Sequence, residues 1–149
     1  MNQKEINKGM HAMHLKPIGI IHSPFQSAAQ APRQGHFTDK TSTLENFDAY
    51  ADGLKTIERA SHLIVFYWLD RADRDTLQTY TPHGAELRGV FACRSPARPN
   101  PIGFAVAKLI KREGQTFIVK GLDAVDQTPI IDIKPYSPDL DAFPEAILR

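Results

Sequence analysis

Leu63-Ile64-Val65-Phe66-Tyr67-Trp68-Leu69 is the longest unbroken apolar run in the chain. It is β-branched and aromatic, and it does not alternate with polar residues. Such a run reads as a strand covered on both faces. At seven residues it is far short of the roughly 20 that a membrane-spanning helix needs. Downstream, Glu86–Cys93 and Gly103–Lys111 read as further strands, with the proline-rich Arg94–Pro101 between them. That stretch cannot be regular, because three prolines in six residues remove donors and fix φ. Arg112-Glu113-Gly114-Gln115 turns the chain into a hairpin partner, Thr116–Lys120. Gly121–Gln127 is a connection, and Thr128–Ile133 is the last strand. Upstream, Pro17–Phe25 is a first strand, and 26–43 is a loop by composition. Phe47, Tyr50, Leu54 and Ile57 recur at helical spacing, which predicts a helix over Ala49–Arg59, weakened by Gly53. Short strands at this spacing predict an all-β domain with minor α content over 15–149, a barrel or a sandwich. Residues 1–14 are expected to be a disordered arm.

The whole chain of 149 residues is one ordinary domain, with 42% hydrophobic and 23% charged residues. Its polar start has no apolar core of a secretory signal. A single cysteine, Cys93, excludes an internal disulfide and a cysteine-based zinc cluster. The expectation is a soluble cytoplasmic protein without membrane or metal. Nine glycines occur, none in a G-x-G arrangement, and there is no P-loop. A nucleotide-like cofactor would therefore be held outside a Rossmann-like fold. Charge is uneven: residues 86–112 carry six Lys/Arg against one Glu, net +5, and 122–149 carry six acids against two bases, net −4. Either the basic segment, with Lys108, Lys111 and Arg112 toward its hairpin end, meets anions such as phosphates, or it is solvated surface.

Four stretches carry candidate chemistry. Arg94 to Gly103 holds two arginines four apart on a stiffened loop, suited to a carboxylate or phosphate; a rigid structural turn is the alternative. Pro32-Arg33-Gln34 could grip a polar ligand edge, or be a solvated loop. Asp70-Arg71-Ala72-Asp73-Arg74-Asp75 follows the apolar strand at a favoured binding position, or satisfies its own charges. Asp126-Gln127-Thr128-Pro129 precedes Asp132-Ile133-Lys134-Pro135-Tyr136. There a lysine between Ile133 and Pro135 would be partly desolvated, unless it pairs with Asp132 on the surface. No acid pair or HExxH is present, and the histidines outside the tail are scattered singly.

Five segments resemble the TrmO (YaeB-like) family. They are Ile18-Gly19-Ile20-Ile21-His22-Ser23-Pro24, Pro32-Arg33-Gln34, Trp68 to Asp73, Gly89 to Gly103 with its Arg94-Ser95-Pro96-Ala97-Arg98-Pro99-Asn100-Pro101-Ile102-Gly103 block, and Asp126 to Tyr136. The likeness spans about residues 16–141 in order. It implies a single-domain β-barrel methyltransferase, acting as a homodimer. Such an enzyme moves a methyl group from S-adenosylmethionine to the exocyclic N6 nitrogen of threonylcarbamoyl-adenosine in tRNA, beside the anticodon at adenosine-37. It implies cofactor contacts from Pro32, Arg33, Gln34, Asp70, Arg71, Arg94, Phe104, Asp126, Gln127, Thr128 and Pro129. Lys134, Tyr136 and Asp132 are the candidates for the proton-handling group, and Arg94 and Arg98 for cofactor carboxylate or tRNA phosphate. Many bacterial members have His-Arg where this chain has Asp70-Arg71. The chain looks like a short form, without the C-terminal domain that longer members use on tRNA. The alternatives are a barrel that binds S-adenosylmethionine or nucleic acid without turnover, and a methyltransferase with a different substrate.

Overall fold

The computed structural model describes residues 2, 4, 13–82 and 84–149. Most of the expected 1–14 arm, His11 included, and His83 lie outside the described residues. Eight strands are present: β1 (Gly19–His22), β2 (Thr41–Asn46), β3 (His62–Trp68), β4 (Gln78–Tyr80), β5 (Leu87–Gly89), β6 (Ile102–Glu113), β7 (Thr116–Lys120) and β8 (Thr128–Pro135). Six of them close into a barrel in the order β1-β2-β7-β6-β3-β8. Every neighbouring pair is antiparallel, and closure leaves no free edge. β4 and β5 form a separate two-stranded sheet in the long β3–β6 connection. The expected all-β, non-Rossmann fold with minor helix is the observed one. The barrel replaces the barrel-or-sandwich ambiguity. One short helix, α1 (Pro138–Asp141), follows β8. Among the described residues no helix is long and apolar enough to cross a membrane.

A six-stranded barrel is narrow, and facing side chains must share its interior. The pairing of β3 with β6 solves this by size. Tyr67, Val65 and Leu63 point inward opposite Gly103, Ala105 and Ala107. At Gly103 an added Cβ would lie 2.1 Å from the Tyr67 ring. The other faces of the same two strands carry Ile64, Phe66, Trp68, Ile102, Phe104 and Val106, so the barrel wall is apolar outside as well as inside. The apolar run at 63–69 does not alternate for that reason. Phe117, Ile21, Leu44 and Ile130 complete a fully buried core.

Three sequence expectations change. The helix over Ala49–Arg59 is two 3-10 turns, Asp48–Leu54 and Ile57–Arg59, separated at Thr56, which is left-handed at φ 67°. The strand over Glu86–Cys93 is only β5 followed by a 3-10 turn at Val90–Ala92. Part of the expected 26–43 loop is β2.

Candidate functional site

The antiparallel order sends three connections from one end of the barrel: 23–40, 69–101 and 121–127. Pro32, Arg33 and Gln34 lie on the first, and Asp70, Arg71 and Arg94 on the second. Asp126 and Gln127 end the third, and Thr128 and Pro129 open β8. Phe104 is the third residue of β6, on the outer face next to this end. Segments far apart in sequence thus meet at one barrel end.

The 121–127 connection crosses that end as a strap. The buried Tyr67 hydroxyl donates to Asp123 Oδ1 from below. Ser23 Oγ donates to the Ala124 carbonyl at 2.7 Å, and Ser23 N–H to Asp126 Oδ1 at 2.9 Å. Asp126 N–H donates to Phe25 O at 2.7 Å. Gln127, left-handed at φ 70°, donates through Nε2 to His22 Nδ1 at 2.9 Å. That leaves His22 Nε2 to donate to Glu45 Oε2 at 2.5 Å. The Thr128 hydroxyl donates to Val125 O at 2.6 Å. Asp126 and Thr128 therefore spend their side chains shaping the turn, and the N–H groups of 126 to 128 are spent on the carbonyls of Phe25, Ile21 and Val125.

Burial raises the Asp123 carboxyl above its ordinary range, against the lowering effect of the Tyr67 hydroxyl and backbone N–H. Burial also raises Tyr67, helped by the Asp123 charge. A raised carboxyl favours the fold while it is protonated, and this contribution is lost as pH rises through the raised value. Asp123→Asn is therefore expected to melt above the parent at pH 7, with the gap shrinking toward pH 4. Thermal melts at the two pH values check this.

The first loop is fixed by a close backbone approach. A Cβ on Gly35 would lie 1.9 Å from the Gly121 carbonyl oxygen, and the 3-10 turn Gly35–Phe37 packs on β6. Gly35→Ala should push Pro32–Gln34 away from the barrel end. Overpacking against immobile backbone costs ~3 kcal/mol, a fall of roughly 10 °C in Tm. Scanning calorimetry checks it.

In the proline block the two arginines part company. Arg98 Nη1 donates to Cys93 O at 3.1 Å and Ser95 O at 3.2 Å, and its N–H to Asp73 O at 3.0 Å. Arg98 thus staples the block through Nη1. Arg94 has no carboxylate partner among the described residues; its guanidinium lies 5.8 Å from the centroid of the exposed Phe104 ring. Phe66 meets Phe104 edge-on at 5.7 Å.

The outer face continues across β3 to β8. Phe66 is in register with Phe104 on one side and Asp132 on the other, and Ile64 with Val106 and Lys134. Two strand spacings separate Asp132 from Phe104, about 10 Å. The ladder is bulged between Phe66 and Tyr67, a device that re-aims side chains beside active sites. Lys134 is exposed and pairs with Asp132 at 3.0 Å, so the desolvated lysine expected from sequence is replaced by a surface pair. Tyr136 lies past the strand's end, next to His62, with ring centroids 6.4 Å apart. Asp132 and Lys134 share a face with Phe104; Tyr136 belongs to the opposite end of the barrel.

The net +5 of residues 86–112 is offset in part by carboxylates from outside the segment, which leaves the charges of Arg94, Arg98 and Lys108. Arg88 pairs with Glu86, Lys111 with Glu113, and Arg112 with Glu58 at 2.5 Å. Lys111 and Arg112, expected on phosphates, each stand beside a carboxylate, and Lys108 makes no ion pair among the described residues. Among them, too, no group of three His, Cys, Asp or Glu side chains is placed to hold a metal.

An antiparallel barrel that gathers loops at one end beside an apolar outer wall is a class apart from the parallel nucleotide-binding folds. The chain belongs to the tRNA-methyltransferase O N-terminal domain family, whose model matches residues 20–142. An S-adenosyl-L-methionine-binding protein of Archaeoglobus fulgidus is 52% identical over 87% of this chain and 93% of its own length. A longer protein of the same organism, a probable S-adenosyl-L-methionine-binding protein, is 52% identical over 92% of this chain, which spans only 37% of it. The crystal structure of TrmO from Pseudomonas aeruginosa superposes with a TM-score of 0.78 at 30% identity, over 93% of this chain and 62% of that one.

Proposed function

We propose that this chain binds S-adenosylmethionine at the loop-bearing barrel end and transfers its methyl group to tRNA. The acceptor is the exocyclic N6 nitrogen of threonylcarbamoyl-adenosine at position 37. The observation that carries the reading is Arg94, an arginine without a carboxylate partner poised over the exposed Phe104 ring. The residues present fit the cofactor. Arg94 suits its carboxylate, the Phe104 face suits its adenine, the Pro32–Gln34 loop supplies polar edges, and the 126–129 turn lies at the same barrel end. S-adenosylmethionine brings an already activated methyl, so the protein's task is in-line positioning rather than nucleophilic attack. The accepting nitrogen must lose its proton. Asp132, on the face shared with Phe104, is the group we assign to receive it. Lys134 holds the carboxylate in place, and Ile133 N–H donates to its Oδ1 at 3.0 Å. Tyr136 has no part in this step.

Binding without turnover is the second reading, favoured by the names of the archaeal relatives. Incubating the protein with S-adenosylmethionine and bulk tRNA separates the two: turnover adds one methyl to the RNA, and binding alone adds none.

The same reading includes a homodimer. Among the described residues β4 and β5 pair only with each other, and a two-stranded sheet is marginal alone. Leu77, Tyr80, Leu87 and Phe91 are nonetheless exposed on it and its flanks, Phe91 at 77%. A second copy packed on this patch would cover them and leave the β6–β3–β8 wall open for substrate. Light scattering should give twice the 16.7 kDa chain mass, and Tyr80→Ser with Phe91→Ser should halve it. A monomeric parent counts against the dimer.

A further inference from the structure

The two 3-10 turns before β3 and the end of β8 line an open depression of about 460 Å³. That is within the range of about 300–1,000 Å³ typical of small-ligand sites. Lys55 and Arg59 stand on one wall, and Ile133, Pro135 and Tyr136 on the other. Neither Lys55 nor Arg59 has an ion-pair partner among the described residues. Thr56, between them, is held left-handed at φ 67°, a strained state for a β-branched residue. The turn is pinned from behind. Arg112 Nη1 donates to Leu54 O at 2.9 Å and to Glu58 Oε2 at 2.5 Å, and Arg59 N–H donates to Thr56 O at 3.1 Å. The two cations are thus held on a braced turn against an apolar wall that ends in a phenol ring.

The cavity lies at the barrel end opposite the cofactor loops, on the side to which Ile133 and Pro135 turn with Val65 and Leu63, and its rim reaches the lower edge of the outer face. Along β6 the face runs from Phe104 through Val106 to Lys108, which is in register with His62. Tyr136 N–H donates to His62 O at 3.0 Å, which brings the cavity wall to the same level. Four residues of strand span about 14 Å, roughly four stacked nucleotides at about 3.4 Å each. The face is aromatic where the methyl group would be delivered and cationic where the cavity opens.

We infer that this cavity takes an unpaired nucleotide of the RNA flanking the target base, its phosphate on Lys55 and Arg59 and its base against Tyr136. The inference rests on the tRNA reading above and adds a second, remote anchor to it. Unpaired bases stack on aromatic side chains and phosphates seek guanidinium and ammonium groups.

The test uses an anticodon stem-loop RNA, with binding followed by fluorescence anisotropy over a salt series. Lys55→Ala with Arg59→Ala should weaken RNA binding roughly tenfold, and lower the log–log salt slope by about 0.7 for each phosphate no longer neutralised. Affinity for S-adenosylmethionine in calorimetry should stay at the parent value. The swap Lys55→Arg with Arg59→Lys should restore RNA binding. Parent-like RNA affinity and slope in the alanine pair overturn the inference while leaving the methyltransferase reading intact. A change of the alanine pair from dimer to monomer with an unchanged slope overturns it too, and assigns the cavity to the subunit interface. A parent protein that methylates nothing and binds no RNA removes the tRNA reading, and this inference with it.

Discussion

Arg94→Ala combined with Gln34→Ala is expected to weaken S-adenosylmethionine binding roughly 100-fold, about 2.7 kcal/mol. Arg94 is the arginine of the proline block that makes no hydrogen bond among the described residues, whereas Arg98 donates through Nη1 to two carbonyls, those of Cys93 and Ser95. A charge-assisted hydrogen bond to a cofactor carboxylate contributes about 1.5–3 kcal/mol. Gln34 sits at the turn that Gly35 wedges against the Gly121 carbonyl. Both side chains are on loops, so the fold should survive and calorimetry should read affinity alone. Arg98→Ala makes the contrast. It should loosen the block and lower Tm first, because the hydrogen bonds it removes are internal. Equal affinity in parent and double variant would move the cofactor away from this barrel end.

Asp132→Asn is expected to lower the methylation rate by at least about 100-fold, the lower bound for loss of a positioned general base. Cofactor affinity should hold, since Asp132 stands two strands away from Phe104. The amide keeps the shape of the carboxylate and can still accept from Ile133 N–H, but it cannot take a proton. Lys134→Ala should have a smaller effect, because it removes only the neighbour that steadies the carboxylate. A rate in Asp132→Asn equal to the parent's would shift proton acceptance to solvent or to another side chain.

Much of the barrel is legible in the sequence because its strongest signals are local. The run from Leu63 to Leu69 is apolar on both faces, since β3 lines the core with Leu63, Val65 and Tyr67 and the outer wall with Ile64, Phe66 and Trp68. The β6–β7 hairpin carries its turn in Gly114-Gln115, with Gly114 at φ 60°. β2 is hidden for a physical reason: its inward positions are Ser42, Leu44 and Asn46, so polar residues fill two of three core sites and the alternation disappears. The helix expected over Ala49–Arg59 has the right apolar spacing, but a left-handed Thr56 divides it, and no periodicity reveals a backbone angle. At the site, the cofactor segments stand out as sequence motifs, while their convergence is a product of strand order. Arg94 and Arg98 look alike in sequence; only the carbonyls around Arg98 tell them apart. Tyr67 and Asp123, 56 positions apart, give no sequence signal as a pair. Lys55 and Arg59 look like surface charges until the end of β8 closes against their turn.

The most direct test of the central claim uses tRNA from a strain that lacks the native methylation of threonylcarbamoyl-adenosine. The RNA is incubated with the protein and S-adenosylmethionine, and its nucleosides are then resolved by mass. One added methyl on threonylcarbamoyl-adenosine at position 37, absent when Arg94 and Gln34 are both alanine, is the predicted result. An unmodified nucleoside pool, or a methyl on a different nucleoside, would contradict it.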